Sequence, residues 1–394
     1  MRNIGVVTVG RSDYSSCLPI LRQIHQNPDL KLHLIVTGMH LSPEFGLTVQ
    51  DIEADGFEIG DRVEMLLNSD TPEGVAKSIG LGTIGLAQSF AHYRPDLLLI
   101  VGDRFELLSI VSSALPFRIP IAHISGGDIT EGAIDNQIRY AVTQMSHLHF
   151  VAMEEHKARL LQMGEEAWRV FVTGDPALDS IQQMKLLLPE ELSQSLGLEL
   201  KPPLLLVTYH PTTLGAMSPL EEIQIVLKAL EQVKGTLIFT CPNADPEGRV
   251  IIEKIQEFVA AKPQSKFFYN LGQLRYYSVL AQADLMVGNS SSGIWEAPSF
   301  HLPVVNIGDR QRGRLRTRNV IDVGLNVESI VKAIQKGLSI SFRGSLDQLR
   351  NPYGNGYAAI QIVNVLKTVE LDLNLLQKKF SVQQSLAQLS LTKN

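Results

Sequence analysis

The sequence predicts an α/β protein with two parallel-sheet domains, and two observations carry this prediction. Short runs rich in Val, Ile and Leu recur along the chain, and longer segments of helical character alternate with them. This alternation is typical of doubly wound parallel sheets, whose strands are buried on both faces. The chain has 394 residues, which is long enough for two domains of ordinary size.

The first half of the chain contains six predicted strands. The most regular stretch has an apolar run at 97–101, a helical segment at 105–115 and a second apolar run at 119–124. The other predicted strands are 4–9, 30–37, 148–152 and 170–173, and the other predicted helices are one that ends near Gln26, 70–93, one that begins near Gly132, and 154–163. Residues 38–60 predict a loop and a helix of mixed character.

A second alternating set follows the connection at 176–203, which is the predicted domain boundary. Its predicted strands are 204–209, 236–241, 285–287 and 304–307, and its predicted helices are 219–234, 247–261 and one within 271–283. We therefore expect two Rossmann-like domains, at residues 1–180 and 200–365, with a cleft between them. Residues 366–394 are expected to form a tail.

The composition and charge exclude several classes of protein. The net charge of −6 argues against a general nucleic-acid binder, although local basic clusters remain compatible with phosphate binding. The apolar runs are far shorter than the roughly 20 residues that a membrane-spanning helix needs. The first residues show no cleavage pattern of a signal peptide. We therefore expect a cytoplasmic protein with no nucleic-acid or membrane partner.

The spacing of glycine, cysteine and histidine predicts no cofactor and no metal. Neither GxGxxG nor GxxxxGK[ST] occurs, so neither a dinucleotide site nor a P-loop is indicated. Cys17 and Cys241 have no CxxC or zinc spacing. His147 and His149 share one face of a strand but lack a third ligand nearby.

Three aspartates fall near strand ends in the first half of the chain. Asp103 follows the strand 97–101, Asp128 follows the strand 119–124, and Asp135 lies in the first turn of the next predicted helix. Ligands of open parallel sheets bind beyond the carboxyl ends of the strands, so carboxylates that converge there indicate acid/base chemistry. Each aspartate alone also fits a turn or helix cap. Because three occur in one βαβ unit, we favour the functional interpretation.

Polar groups follow three predicted strands of the second half. His210 follows the strand 204–209, Asn243 follows the strand 236–241, and the run 288–293 (GNSSSG) follows the strand 285–287. A turn of small residues at a helix N-terminus suits a diphosphate, and Glu296, one turn later, is placed to accept ribose hydrogen bonds. His210 is equally compatible with a structural role. The basic segment 306–318 is interpreted mainly as a solvated loop, with at least one arginine on phosphate.

The ordered set of motifs resembles one family over roughly residues 1–365. The motifs are 10–15 (GRSDYS), 102–106 (GDRFE), 126–128 (GGD), 131–135 (EGAID) with Arg139, 210–211 (HP), 288–291 (GNSS) with Glu296, and 308–311 (GDRQ). They resemble the hydrolysing UDP-N-acetylglucosamine 2-epimerases of the sialic acid pathway, and the related enzymes of legionaminic acid pathways equally. The resemblance implies a GT-B arrangement and a homodimer or homotetramer.

The resemblance also implies a reaction and its residues. UDP would be eliminated across C1–C2 to give a 2-acetamidoglucal, and water would then add to release the 2-epimerised sugar, N-acetylmannosamine when the substrate is UDP-N-acetylglucosamine. The catalytic positions are Asp103, Asp128, Asp135 and His210, and the nucleotide contacts are Arg11, Ser15, Arg104, His210, Asn243, Ser290, Ser291, Glu296 and Arg310. The helix dipole should keep Asp135 ionised, which makes it a poor protonated acid.

Two departures from the family pattern bear on the substrate. The family commonly has Glu where this chain has Asp128, and commonly has His where this chain has Tyr140. The shorter carboxylate is compatible with a differently decorated sugar, such as a 2,4-diacetamido-trideoxyhexose. Three other functions stay open at this point: a non-hydrolysing epimerase, a GT-B glycosyltransferase and a non-catalytic sensor of nucleotide sugars.

Overall fold

The computed structural model describes residues 1–381, apart from Ala244 and Pro246. The part of the predicted tail after residue 381 lies outside the described residues. The first sheet has seven parallel strands in the order β3-β2-β1-β4-β5-β6-β7. These strands are β1 (Arg2–Thr8), β2 (Leu30–Thr37), β3 (Ile59–Val63), β4 (Leu97–Val101), β5 (Ile121–Ile124), β6 (Leu148–Val151) and β7 (Val170–Val172). All six strands predicted in this half are therefore present.

Helices cover both faces of the first sheet. They are α1 (Arg11–Gln26), α2 (Val49–Ala54), α3 (Pro72–His92), α4 (Glu106–Ala114), α5 (Asp135–Met145), α6 (Glu154–Gln162) and α7 (Ala177–Gln183). Ile20 and Leu21 of α1 belong to the hydrophobic core on one face, and Ile110 and Val111 of α4 belong to the core on the other. Burial on both faces explains why β4 consists of apolar residues only.

The second sheet has six parallel strands in the order β10-β9-β8-β11-β12-β13. They are β8 (Leu204–Thr208), β9 (Thr236–Thr240), β10 (Ser265–Phe268), β11 (Leu285–Gly288), β12 (Val304–Ile307) and β13 (Val320–Val323). The helices of this part are α8 (Pro189–Leu196), α9 (Pro219–Leu230), α10 (Gly248–Ala261), α11 (Gly272–Gln282), α12 (Ser292–Trp295), α13 (Val327–Gly337) and α14 (Ile340–Gly344).

The chain then returns to the first sheet. Two further helices, α15 (Ala358–Thr368) and α16 (Leu373–Leu376), follow the second sheet in sequence. Ile362 and Leu366 of α15 are fully buried in the same core as α1. The predicted boundary at residue 365 falls inside α15, so the segment that closes the second domain in sequence packs on the first domain in space.

Each sheet has one topological switch point, where the strand order reverses. The first sheet reverses its winding direction between β1 and β4, and the second reverses between β8 and β11. A crevice forms where the strands on either side of such a reversal end, and ligands of open α/β sheets bind there. The predicted fold class, two Rossmann-like domains with a GT-B arrangement, is confirmed. None of the described helices has the length and hydropathy that crossing a membrane requires.

Candidate active site

A cavity of about 240 Å³ lies between the two domains. Eleven of the twelve residues predicted for the site line it: Arg11, Ser15, Asp103, Arg104, Asp135, His210, Asn243, Ser290, Ser291, Glu296 and Arg310. Asp128 is not among the lining residues. The cavity receives residues that follow β1, β4, β8 and β11, so the two switch points contribute to one site.

The loop after β1 is shaped by Asp13 and presents Arg11. The buried Asp13 carboxylate accepts a hydrogen bond from the Gly10 N–H at 2.7 Å, and burial raises its pKa to about 6. Arg11 is the first residue of α1, and its guanidinium donates to the backbone carbonyls of Cys241 and Tyr269 in the second domain. Arg11 therefore crosses the cleft and contributes positive charge to the cavity.

Asp103, in the turn after β4, is paired with Arg139. The Arg139 guanidinium donates to the Asp103 carboxylate and, at 2.9 Å, to the Thr130 hydroxyl. Burial by itself raises the pKa of Asp103, but the positive charges of Arg139, Arg314 and Arg310 outweigh this effect and hold the pKa below its usual value. Asp103 is therefore a carboxylate at neutral pH.

Asp135 differs from Asp103 although both line the same cavity. Burial, together with the negative charges of Asp103 and Asp245, raises the pKa of Asp135 to about 7. The prediction that the helix dipole favours the ionised form of Asp135, and makes it a poor protonated acid, was therefore wrong. Asp135 is the first residue of α5, but it is only 5 % exposed and faces two other carboxylates. Desolvation and like-charge repulsion outweigh the dipole, which acts weakly over one turn.

Arg104 is engaged with two carboxylates of the protein. Its guanidinium donates to Asp245 of the second domain at 2.9 Å and lies 3.4 Å from Glu106. All three side chains are buried. The arginine that the resemblance assigned to the nucleotide diphosphate thus lines the cavity and also holds the two domains together.

Asp128 lies to one side of the cavity, 1 % exposed. Its Oδ2 is 2.7 Å from Nη2 of Arg314, and its Oδ1 is 3.6 Å from Nε2 of His156. Burial lowers the pKa of His156 to about 4, so the histidine is neutral and Arg314 supplies the compensating charge. Gly127, at φ +74, leaves no room for a Cβ against the His156 carbonyl, which fixes the loop before Asp128 against α6.

His210 is held by two asparagines. The Asn289 side chain accepts the His210 N–H at 2.7 Å and donates to the His210 carbonyl at 2.8 Å. The Asn243 N–H donates to the imidazole Nδ1 at 3.1 Å, so the ring proton lies on Nε2. Burial and the neighbouring arginines, Arg310 first among them, hold the pKa of His210 well below its usual value. His210 is therefore a neutral hydrogen-bond donor.

The turn after β11 places two serine hydroxyls at the cavity. Gly288 has φ +138, and a Cβ at this position would collide with the Thr208 carbonyl of the neighbouring strand. A glycine is therefore required for β11 to end so close to β8. Ser290 and Ser291 follow at once and line the cavity.

Glu296 and Arg310 complete the second-domain side. The Glu296 carboxylate accepts the Tyr277 hydroxyl at 3.1 Å, and burial raises its pKa. Arg310 is 6 % exposed and donates to the Asn289 carbonyl at 3.3 Å, while its Nε has no partner among the described residues. A buried guanidinium with a free N–H at a cavity is suited to an anionic ligand.

The basic segment is less solvated than the sequence indicated. Arg314 is 6 % exposed, and Arg316 pairs with Asp322 at 2.9 Å. Two arginines fit the solvated interpretation: the exposed Arg318, and Arg312, whose side chain is 69 % exposed and pairs with Glu131 of the first domain at 2.9 Å. The interpretation of most of these arginines as a solvated loop was therefore wrong, because the segment docks on the first domain.

The two histidines near β6 belong to the core. His149 Nε2 is 3.0 Å from the buried Glu165 carboxylate, and His147 Nδ1 accepts the Ile121 N–H at 3.1 Å. Within the described part of the chain, no three His, Cys, Asp or Glu side chains are grouped to share a metal ion.

Three residues of the site were not identified from the sequence. Asn289 holds His210, Asp245 pairs with Arg104, and Arg314 pairs with Asp128. Asn289 and Asp245 follow strand ends, which is the signal that selected their neighbours Ser290 and Asn243. Arg314 had no comparable signal, because it is one of several arginines in the segment 306–318.

The chain is similar to known 2-epimerases over most of its length. The family model for UDP-N-acetylglucosamine 2-epimerase matches residues 22–367. A GDP/UDP-N,N'-diacetylbacillosamine 2-epimerase (hydrolyzing) from Campylobacter jejuni is 42 % identical over 382 residues, which cover 96 % of this chain and 98 % of that protein. A UDP-N,N'-diacetylbacillosamine 2-epimerase (hydrolyzing) from Legionella pneumophila is 36 % identical, with coverage of 96 % and 99 %.

A solved structure shares the fold. The UDP-GlcNAc 2-epimerase from Neisseria meningitidis bound to UDP-GlcNAc has a TM-score of 0.77 and 17 % identity, and the match covers 92 % of this chain and 99 % of that chain. At this identity the likeness supports the two-domain architecture alone. The family model and the two relatives carry the assignment: this chain belongs to the hydrolysing UDP-N-acetylglucosamine 2-epimerase family.

Proposed function

We propose that the chain releases UDP from UDP-N,N'-diacetylbacillosamine and yields the free 2-epimerised 2,4-diacetamido sugar. The observation that supports this substrate is the similarity to two relatives with that activity in their names, each aligned over 96 % of the chain. UDP-N-acetylglucosamine, converted to N-acetylmannosamine, is the second candidate. It is favoured by the motif resemblance, and both sugars carry the 2-acetamido group and the C2 proton on which the chemistry depends.

The reaction has two stages. A base removes the weakly acidic C2 proton while the C1–O bond breaks, so that UDP departs with the bridging oxygen and a 2-acetamidoglucal remains. Water then adds its hydroxyl to C1, and a proton reaches C2 from the opposite face. Each proton transfer needs a positioned group whose pKa is near the working pH.

Asp135 is the proposed proton-transfer group. Its pKa of about 7 gives it both protonation states near neutral pH, whereas the pKa of Asp103 lies below the usual value. Two carboxylates whose environments separate their pKa values mark a division of acid/base roles. Asp103 then acts as a fixed negative charge beside the proton-transfer group, oriented by Arg139.

The departing UDP meets donors from both domains. Arg11 and Arg310 contribute positive charge to the cavity, and neutral His210 contributes an Nε2–H donor. Fixed donors that meet developing charge in a cavity lower the barrier without the reorganisation that water requires. The proposed division places nucleotide binding mainly in the second domain and proton transfer in the first.

A substrate panel tests the proposal. The protein is incubated with UDP-N,N'-diacetylbacillosamine, its GDP analogue and UDP-N-acetylglucosamine, and products are identified by NMR. We expect free 2-epimerised sugar and an equal amount of UDP, with the highest kcat/KM for the UDP-linked diacetamido sugar. A higher kcat/KM for UDP-N-acetylglucosamine would favour the second candidate. An epimer that stays on UDP, or nucleotide binding without turnover, would contradict the proposed reaction.

A further inference from the structure

We propose that Arg314 is a positioning residue through which the second domain orients Asp128 and Thr130 of the first domain, so that the acid/base arrangement is complete only when the two domains are closed on each other. The inference rests on the proposed function, because Asp128 owes its place in the chemistry to the family resemblance. It concerns a residue outside the cation set that the sequence assigned to the nucleotide.

The Arg314 guanidinium contacts three residues of the first domain across the domain interface. Its Nη2 lies 2.7 Å from Asp128 Oδ2 and donates to the Thr130 hydroxyl at 3.0 Å, while its Nε donates to the Ile129 carbonyl at 2.9 Å. The guanidinium carbon lies 4.8 Å from the centre of the Trp295 ring. Several acceptors and the face of an aromatic ring together hold the planar guanidinium in one orientation. A lysine ammonium could not make the same set of contacts.

Thr130 connects this arginine to Asp103. The Thr130 hydroxyl accepts from Arg314 at 3.0 Å and from Arg139 at 2.9 Å, and Arg139 also donates to Asp103. One hydroxyl thus joins two ion pairs, each with a carboxylate of the first domain. Displacing Arg314 would free one side of Thr130 and allow Arg139 to shift, so the two carboxylates are coupled through their ion pairs and the shared Thr130 hydroxyl.

Gln311 connects Arg314 to the nucleotide side. The fully buried Gln311 accepts from Arg314 Nη1 at 2.6 Å and donates to the Asn289 carbonyl at 2.7 Å. Asn289 is the residue that clamps the backbone of His210. Hydrogen bonds therefore run from the His210 backbone through Asn289 and Gln311 to Arg314, and the ion pair of Arg314 extends this connection to Asp128.

The first domain has one buried cation that acts on Asp128, Arg139, but its guanidinium already donates to Asp103 and Thr130. Without the second domain, the described partner nearest to Asp128 is His156 at 3.6 Å, which is neutral near pH 7. When the domains part, Asp128 loses its nearest cationic partner, and its side chain is then free to reorient. Orientation of this group is therefore tied to the closed arrangement.

The test compares Arg314→Gln with Arg312→Gln. Arg312 is in the same loop and also pairs across the interface, but its side chain is 69 % exposed and lies outside the cavity lining, so it is a matched control. We expect Arg314→Gln to lower kcat about 100-fold, as a misplaced group does, and to leave the Kd for UDP within about two-fold of wild type. Arg312→Gln should keep wild-type kcat.

Two further variants keep the test decisive if Arg314→Gln fails to fold. Arg314→Lys retains the positive charge but not the planar set of donors of the guanidinium, and should recover part of the lost kcat. Thr130→Val removes the shared hydroxyl at similar size, and should lower kcat about 10-fold with unchanged UDP affinity. Wild-type kcat in Arg314→Gln, or in both other variants when it does not fold, would overturn the inference. Absence of turnover in the wild type on every nucleotide sugar would instead contradict the proposed function.

Discussion

Arg104 of the first domain and Asp245 of the second form an ion pair of 2.9 Å in the interface between the domains. Both side chains are buried, at 6 % and 3 % exposure. Asp245 also contributes to the raised pKa of Asp135, after burial and Asp103. One carboxylate from the second domain therefore acts on two predicted site residues of the first domain, an arginine and an aspartate.

Removing the Asp245 charge should shift the pH dependence of the reaction. In the Asp245→Asn variant the ionised form of Asp135 has one negative neighbour fewer, so its pKa falls below the wild-type value of about 7. If Asp135 accepts the C2 proton in its ionised form, kcat/KM rises with pH through that pKa. The rising limb should therefore move to lower pH, as measured by a pH profile of kcat/KM.

Glu44→Gln is the control for this shift. Glu44 pairs with Arg249 across the same interface at 2.7 Å, but it does not act on Asp135. Its loss should leave the rising limb in place. A limb that stays unchanged in Asp245→Asn, or moves equally in both variants, would contradict the assigned role of Asp245.

The buried Asp135 should also cost stability as the pH rises. Its folded pKa of about 7 is above the ordinary aspartate pKa of 3.8, so the folded state binds more protons than the unfolded state between these values. The free energy of unfolding therefore falls as the pH rises through this window. Asp135→Asn should raise that free energy at about pH 8, by at most about 4 kcal/mol, and change it little near pH 4.

Denaturant unfolding at the two pH values measures this difference. Asp347→Asn is the matched surface control, because Asp347 is exposed and should give the same stability as wild type at both pH values. An Asp135→Asn protein that is no more stable than wild type at the higher pH would show that Asp135 is not held in an unfavourable charged state.

Substitutions on the two sides of the cavity should separate binding from turnover. His210→Ala and Arg310→Ala each remove a proposed donor to the nucleotide. Hydrogen bonds to charged groups of this kind correspond to about 10- to 100-fold in affinity. Asp103→Asn should bind UDP as wild type does but lose turnover. Calorimetric titration of UDP into each variant makes the comparison. The opposite pattern, with affinity lost only in Asp103→Asn, would refute the division between the domains.

The fold could be predicted where burial on both faces gives continuous apolar runs. Strand β4 is such a run and its bounds were predicted correctly. The edge strands β3, β10 and β13 were missed, because they are partly exposed and their polar residues hide the pattern. Helix α15 was missed as a part of the first domain, since nothing in a linear pattern shows that a segment packs on a sheet far away in sequence.

The location of the candidate site could be predicted from the sequence, but the ion pairs and pKa values of its residues could not. Eleven predicted residues line one cavity, because strand ends at a switch point converge whatever the detailed packing is. Partners that come from the other domain could not be predicted: Asp245 raises the pKa of Asp135, and Arg314 pairs with Asp128. The pKa of a buried carboxyl depends on such neighbours in space. The helix dipole alone predicts a lowered pKa for Asp135, whereas burial and the nearby carboxylates raise it.

The most direct test of the account follows the atoms of water. The reaction is run with the UDP-linked diacetamido sugar in deuterium oxide and, separately, in oxygen-18 water, and the products are examined by NMR and mass spectrometry. Elimination followed by hydration predicts deuterium at C2 and oxygen-18 at C1 of the free sugar, with no label in UDP. Retention of the original C2 hydrogen, or oxygen-18 in UDP, would contradict C1–O cleavage by proton abstraction and remove Asp135 from its proposed role.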